Sequence, residues 1–415
     1  MTDARLAIEA VWRIEAARLI ATLAGLVRDV GLAEDLAQDA LVAALEQWPS
    51  AGVPEKPGAW LVTTAKRRAI DRWRRDERFH QKINELGRSF EAQSALGEPD
   101  PDAMDDDIGD DLLRLIFISC HPVLSREARV ALTLRLLGGL TTDEIARAFL
   151  VPVPTIYQRI VRAKRTLAEA HVPFEAPGEA ERSARLASVL EVIYLIFNEG
   201  YGATSGEDWI RPSLCEDALR LGRILAELVP LDPEVHGLVA LMEFQASRLR
   251  SRIGPHGEPI LLLDQDRARW DQLLIRRGLA ALRKAAALGA PLGPYALQAA
   301  IASCHAAAPV PDETDWQRIV ALYDALAEIA PSPIVDLNRA VAVGMAIGPE
   351  AALEIVDRLG ADPQLETNHL LPAVRADLLA KLGRQEEARA EFARAARLSK
   401  NERERRLLLE RAGRG

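Results

Sequence analysis

The sequence predicts an all-α protein, with two small helical domains before residue 172 and a longer helical, repeat-like half from 180 to 415. Three observations predict it. Apolar residues recur at helical spacing along the chain, in Ala- and Leu-rich segments broken by Pro and Gly. Residues 128–168, ARVALTLRLLGGLTTDEIARAFLVPVPTIYQRIVRAKRTLA, hold two short helical patterns joined by a proline-containing turn. Residues 370–398, LLPAVRADLLAKLGRQEEARAEFARAARL, alternate small and large residues as two closely packed antiparallel helices do.

Bulk composition narrows the class. At 415 residues, 49% hydrophobic and 27% charged, the chain is long enough for roughly two to four domains with a sizeable core. It has no apolar run of bilayer length, and its charged, amphipathic N-terminus lacks a signal-peptide core, so the expectation is a cytoplasmic protein without membrane contact. Cys120, Cys215 and Cys304 form no disulfide framework, which agrees with a reducing compartment. Cys120-His121 and Cys304-His305 are not completed to a metal-ligand spacing, so neither metal nor cofactor is expected.

The net charge of −9 argues against nucleic acid, but its distribution argues the other way. Residues 66–78, KRRAIDRWRRDER, and residues 112–170 are basic islands, separated by the strongly acidic stretch 81–111.

In chain order, residues 1–30 read as helical, with Leu6, Val11, Ile14, Leu19, Ile20, Leu23 and Val27 as the inner face. Residues 32–48 are amphipathic: Leu36, Ala40, Leu41, Ala44 and Leu45 line one side, and Glu34, Asp35, Gln38 and Asp39 the solvated other. A loop over 49–57 leads to a third helix from Trp60 through Lys66, Arg67 and Arg68 to Arg74 and Arg75. Its mixture of cations and indoles suits a DNA strand, because cations meet phosphate while an indole stacks on or wedges beside a base. The stretch 98–111, EPDPDAMDDDIGDD, is too acidic and too poor in apolar groups to fold alone, and reads as a solvated tether or a mimic of DNA within an acidic linker over 81–111.

The segment at 128–168 reads as a helix-turn-helix. Thr141 followed by Thr142-Asp143-Glu144 is a helix start, since a Thr oxygen accepts orphan N–H groups and acids suit the positive dipole end. Ile145, Ala146 and Phe149 form its buried face. The prolines at 152 and 154 end that helix and suit the first turn of the next. There Ile156, Ile160, Ala163 and Leu167 share one face, leaving Tyr157, Gln158, Arg159, Arg162, Lys164 and Arg165 for the others. Such a helix can enter a major groove, with its N-terminal side chains at base edges and its distal cations on phosphates.

An acidic amphipathic helix, then WLVTTAKRRAIDRWRR, then an acidic linker, then a helix-turn-helix resembles the two-domain body of an extracytoplasmic-function (ECF) sigma factor of the sigma-70 family. In that resemblance residues 1–80 correspond to region 2 and residues 112–172 to region 4. AEDLAQDAL at 33–41 looks like the helix that binds the polymerase clamp, which assigns Asp35, Gln38 and Asp39 to polymerase. WLVTTAKRRAIDRWRR is similar to the promoter-reading helix, which assigns Lys66, Arg67, Arg68, Arg72, Trp73, Arg74 and Arg75 to the minus-ten element. Thr155, Tyr157, Gln158, Arg159, Arg162 and Arg165 would serve the minus-thirty-five element. The implied partners are bacterial core RNA polymerase and promoter DNA, and the implied protein is not an enzyme. The family often has Asn at Arg67, and Gly at Leu150 and Pro154. A Leu at φ > 0 is strained, so the turn is expected to be rebuilt around the two prolines.

The half from 180 to 415 exceeds a minimal sigma factor. Residues 370–398, and more loosely 214–242 and 316–347, are similar to the tetratricopeptide repeat, whose stacking gives a solenoid with a concave face for a peptide or another domain. Two segments depart from it, 193–209 (IYLIFNEGYGATSGEDW) and 261–270 (LLLDQDRARW). Asn198, Glu199, Tyr201, Asp264, Asp266 and Arg267, with Gln265 and Arg269, are expected at an internal hydrogen-bonded joint or a regulatory contact with the sigma body. Asp264 and Asp266 alone could support acid-base or metal chemistry, and no histidine or phosphate loop accompanies them. A sigma body with such an extension resembles the group 42 subgroup, in which the extension regulates activity; the implied ligand of this half is a regulatory protein or peptide. The alternative is a stand-alone helix-turn-helix regulator whose helical half senses a ligand or peptide, which leaves the basic tryptophan helix unexplained.

Overall fold

The computed structural model describes residues 2–75, 101–255, 257–289 and 291–413, and among these the chain is helical, with two isolated bridges and no strand. It divides into two compact units, Met1–Val192 and Ile193–Gly415.

The first unit is built on α1 (Thr2–Val27), which packs against α2 (Val30–Ala51), α3 (Pro57–Arg75) and α4 (Pro101–Ser119). Small residues let these helices approach closely: Ala16, Ala17, Ala21 and Ala24 of α1 meet a stripe of Ala33, Ala37, Ala40 and Ala44 on α2. Leu19, Ile20, Leu23 and Leu36 fill the space between, and Trp48 meets Trp60 edge-on at 5.3 Å, fixing α2 against α3. Not every expected inner residue is inside. Leu6, Ile14 and Leu45 are 59%, 67% and 39% exposed. The buried stripe runs instead through Ile8 and the alanines, because close helix contact selects the small-residue face over the larger aliphatic one.

The acidic linker is corrected over its last part: residues 101–111 are helical, forming the first half of α4. Pro101 suits a first turn, acids suit a helix N-terminus, and the following LLRLIFIS buries Leu112, Leu115, Ile116, Phe117 and Ile118. Arg114 also holds Asp111 at 2.7 Å and Asp110 at 3.8 Å. Residues 81–100 lie outside the described residues.

After α4 come α5 (Arg126–Leu136), α6 (Thr142–Phe149), α7 (Val153–Glu169) and α8 (Glu179–Tyr201), the last of which contains the boundary between the units. The first part of α8 is tied to α4 and α5: Ser188 donates to the Cys120 carbonyl at 2.7 Å, Arg185 to the Phe117 carbonyl at 3.0 Å, and Arg129 pairs with Glu191 at 3.3 Å.

The second unit contains α9 (Pro212–Leu228), α10 (Pro233–Ser247), α11 (Gln272–Ala287), α12 (Pro294–Ala307), α13 (Trp316–Ile329), α14 (Pro333–Ala346), α15 (Pro349–Leu359), α16 (Leu370–Lys381), α17 (Gln385–Leu398) and α18 (Glu402–Gly413). The segments at 214–242, 316–347 and 370–398 are each a helical hairpin, and from α12 onward each helix packs on its neighbours in sequence. In the last hairpin Ala376, Leu379, Ala388, Phe392, Ala395 and Ala396 are buried as their spacing requires. Helix α10 is buried nearly all round, between α9, α11 and α12. A Cβ on Gly237 would lie 2.6 Å from the Ala296 nitrogen, so glycine is what lets α10 and α12 touch.

The two ends of this unit are also bonded to each other. Asn401, just before α18, donates to the carbonyls of Ala203 at 3.1 Å and Asp208 at 2.8 Å, while Glu402 N–H donates to the Gly206 carbonyl at 3.0 Å. The last helix is thereby bonded to the segment that follows α8, nearly two hundred residues earlier.

Candidate nucleic-acid interface

The helix-turn-helix is assembled from local signals. Thr141 caps α6 by accepting the Glu144 N–H at 3.2 Å, and the Glu144 carboxylate accepts the Thr141 N–H at 2.8 Å, a reciprocal capping box. Leu150 then adopts φ 50°, ψ 41°, the left-handed region. The turn is therefore not rebuilt around the prolines, which corrects the expectation: the left-handed residue is needed so that Val151 N–H can reach the Ala146 carbonyl at 3.1 Å. Pro152 and Pro154 fit beyond it, at the N-cap and second position of α7.

On α7, Ile156, Ile160, Ala163 and Leu167 are buried, while Tyr157, Gln158, Arg162 and Arg165 are exposed and Thr155 and Arg159 half-exposed. Six side chains assigned to DNA thus share the outward surface of one short helix. Lys164 is not among them. Its ammonium pairs with Glu34 of α2, whose carboxylate also accepts Arg135 Nε at 2.5 Å. Glu34, expected on the solvated face of its helix, is only 4% exposed, a second correction. Burial pushes its carboxyl up, but Lys164 and Arg135 together hold it below the usual carboxylate range. A second contact of the same sense joins Arg13 of α1 to Glu144 of α6 at 3.2 Å.

Sequence inspection missed this clasp. The available signal was that Glu34 lies three and seven residues before Ala37 and Leu41, on a helical face that includes buried alanines. Asp35 is exposed on α2, and Gln38 and Asp39 are half-exposed beside it, so the three residues assigned to polymerase remain on the outer surface. Across from them on α3, Arg67 is exposed and Arg68 lies 3.7 Å from Asp39. Lys66 is half-buried, and burial lowers its ammonium from the usual lysine value. Arg72, Trp73, Arg74 and Arg75 fall in the last turn of α3, and their side chains lie outside the described residues.

In the second unit, Tyr201, at the end of α8, carries the Arg252 guanidinium 3.6 Å from its ring centroid, and its carbonyl accepts from the same group. Glu199 binds Arg211 and accepts from Thr204 Oγ1 at 2.9 Å, and Asn198 is exposed. Arg267 is buried and donates to the carbonyls of His305 and Ala308 and to Thr314 Oγ1, each at 2.9 Å. Asp264 and Asp266 are exposed, and Asp266 caps the turn Arg267–Arg269 by accepting the Ala268 N–H at 3.0 Å. The two departing segments therefore form hydrogen-bonded joints inside this unit, with no pairing of Asp264 to Asp266.

Comparison with known proteins agrees with this geometry. Residues 13–79 match the family model for sigma-70 region 2, residues 114–167 that for sigma-70 region 4, and residues 185–286 a family of unknown function, DUF6596. The class is thus a DNA-binding transcription-initiation factor carrying both sigma-70 regions. Over 378 residues, 90% of this chain and 88% of the relative, it is 43% identical to an uncharacterized protein of Rhizobium meliloti (strain 1021). It is 31% identical over 147 residues to the ECF RNA polymerase sigma factor SigK of Mycobacterium bovis (strain BCG / Pasteur 1173P2), covering 34% of this chain and 73% of that one. The probable ECF RNA polymerase sigma factor SigI of Mycobacterium tuberculosis (strain ATCC 25618 / H37Rv) is 25% identical over 165 residues, 40% of this chain and 56% of the relative. The chain belongs to the extracytoplasmic-function family of RNA polymerase sigma factors. No described helix is long and apolar enough to cross a membrane.

Proposed function

We propose that this sigma factor works in the cytoplasm, binding core polymerase through the outer face of α2 and reading promoter DNA at two places. Asp35, Gln38 and Asp39 contact polymerase; the basic face of α3, from Lys66 to Arg75, serves the minus-ten element; and Thr155, Tyr157, Gln158, Arg159, Arg162 and Arg165 of α7 serve the minus-thirty-five element. The observation that carries this reading is the division of α7 into an aliphatic buried stripe and an outward face of tyrosine, glutamine and arginine. Aromatic and amide groups near its N-terminus suit base edges, and the later arginines suit phosphates. The helical half regulates the sigma body, and its succession of hairpins supports a tetratricopeptide-like extension of the group 42 kind.

Co-migration of the full-length protein with bacterial core RNA polymerase on a sizing column tests the assignment. Wild type is expected to co-migrate and an Asp35→Ala/Asp39→Ala variant to elute alone. Equal co-migration of both would move the polymerase contact off α2, and binding of promoter DNA without any association with polymerase would favour a stand-alone regulator.

A further inference from the structure

Charge is spread unevenly over the second unit. From 272 to 311 the chain carries Arg276, Arg277, Arg283 and Lys284 and no carboxylate, in a protein whose net charge is −9. All four cations lie on α11, alone among the described helices of this unit in carrying arginine or lysine without aspartate or glutamate. Asp271, just before its first turn, caps the helix by accepting the Leu273 and Leu274 N–H groups at 2.8 and 3.1 Å. The four cations are exposed, and among the described residues none of them forms an ion pair. Elsewhere in the unit such arginines find acids: Arg375 lies 2.8 Å from Asp357 and Arg384 lies 2.7 Å from Glu387. Glu243 of α10 interacts electrostatically with Arg277, but its carboxylate is only 1% exposed and is already paired with Arg223 at 2.8 Å.

The helix presents this charge from a fixed position. Ile275, Gly278 and Ala285 are buried, Ile275 packs with Phe244 of α10, and a Cβ on Gly278 would lie 2.9 Å from the Phe244 ring. The helical period divides the opposite side into a ridge and two flanks. Ala280 and Ala287 form the exposed ridge, with Leu273 at its start. Arg276 and Arg283 stand on one flank and Arg277 and Lys284 on the other, about 100° round the helix, and each pair is two turns, about 10 Å, apart.

Two rows of cations straddling small side chains fit a duplex. A helix about 10–12 Å across matches a major groove about 12 Å wide, so the alanine methyls face the groove floor while the two rows reach phosphates on its two rims. The ridge offers no amide, carboxylate or hydroxyl to a base edge, so the contact carries no hydrogen-bonded base preference. An anionic bilayer, the rival polyanion, needs a broad apolar face to bury. On α11 the exposed large apolar groups are Leu273 and Leu279, at 48% and 36%, on different sides of the helix.

We infer that α11 is a further DNA-contacting surface, binding the phosphates of double-stranded DNA without regard to sequence through Arg276, Arg277, Arg283 and Lys284. The four cations lie within the match of unknown function at 185–286. This surface is additional to the two promoter contacts of the sigma body and does not rest on them.

The test titrates the full-length protein with a fluorescent duplex of random sequence over a range of salt. Beside it run variants that remove each row, Arg276→Gln/Arg283→Gln and Arg277→Gln/Lys284→Gln, and one that removes both. Freeing four phosphates should lower the slope of log K against log salt by about three in the fourfold variant and by about half that in either double variant, with affinity at low salt falling about tenfold or more. Glutamine at these exposed positions is expected to leave helical circular dichroism and melting unchanged; if the fourfold variant unfolds, the two double variants are read alone. Arg162→Ala of α7, measured on the same duplex, reports on the sigma body separately, so either assignment can fail while the other stands. Sedimentation with phosphatidylserine vesicles is the competing arm. A salt slope equal to that of wild type, a loss confined to one row, or variants that lose vesicle binding while keeping DNA binding would overturn the inference.

Discussion

Replacing Glu34 by Gln removes one charge from the clasp while keeping the side chain's shape. Arg135 and Lys164 would then face each other beside a neutral amide, 18% and 22% exposed respectively. Breaking a buried ion pair from one side typically costs about 3–5 kcal/mol. Here both cations can rehydrate in part, and the amide oxygen still accepts one hydrogen bond, so we expect about 2–3 kcal/mol. With a urea dependence of roughly 1–3 kcal/mol per molar, the unfolding transition of the first unit moves down by about 1 M or more at pH 7. The pH dependence has a definite sign. The folded carboxyl is held below its ordinary value of 4.5, so the unfolded chain binds its proton first as pH falls. The stabilisation is complete above the unfolded value and is lost as pH drops through the folded one. The gap between wild type and Glu34→Gln should therefore be full at neutral pH and shrink below about pH 4.5. An unchanged midpoint at pH 7, or a gap that widens on acidification, would refute the idea that this pair holds α7 and α5 against α2.

Leu150→Gly should stabilise the helix-turn-helix by up to about 1 kcal/mol, since the left-handed backbone strains a Leu and this one is already 51% exposed; a lower melting temperature would contradict this. Arg162→Ala should weaken promoter binding. A loss of about 1–3 kcal/mol confined to one base pair marks a base-edge contact, a salt slope reduced by about one marks a phosphate, and unchanged binding removes Arg162 from the interface. Asn401→Ala strips the cap of α18 and leaves the Ala203 and Asp208 carbonyls without their donor, so it should cost about 2–4 kcal/mol in urea unfolding of the second unit. Amide exchange in α18 should rise in that variant, and unaltered protection there would show that α18 does not depend on this joint.

What the sequence discloses depends on how far apart the interacting groups lie along it. The buried stripe Ile156, Ile160, Ala163, Leu167 and the Thr141–Glu144 capping box depend on residues within a few turns of each other, and both were legible. Leu150 was misjudged because intrinsic preference disfavours φ > 0, whereas the 5-residue bond from Val151 to Ala146 requires it. Glu34 was misjudged for the opposite reason. Locally it continues an acidic face, and only partners 101 and 130 positions away bring it inside. Asn401 is invisible in the same way, since its acceptors are backbone carbonyls that carry no sequence signature.

That distinction refines the candidate interface itself. Helical spacing alone leaves Arg159, Arg162, Lys164 and Arg165 together off the buried stripe of α7. In the folded unit Lys164 neutralises Glu34 and faces α2, so a phosphate could recruit it only by leaving that carboxylate buried beside Arg135 alone. Losing Lys164 should consequently register as instability of the first unit, whereas losing Arg162, exposed and without such a partner, should register as weaker promoter binding. The two cationic positions, two residues apart on one helix, are thus separable by experiment: the proposed interface expects Lys164 to hold the body together and Arg162 to meet the promoter.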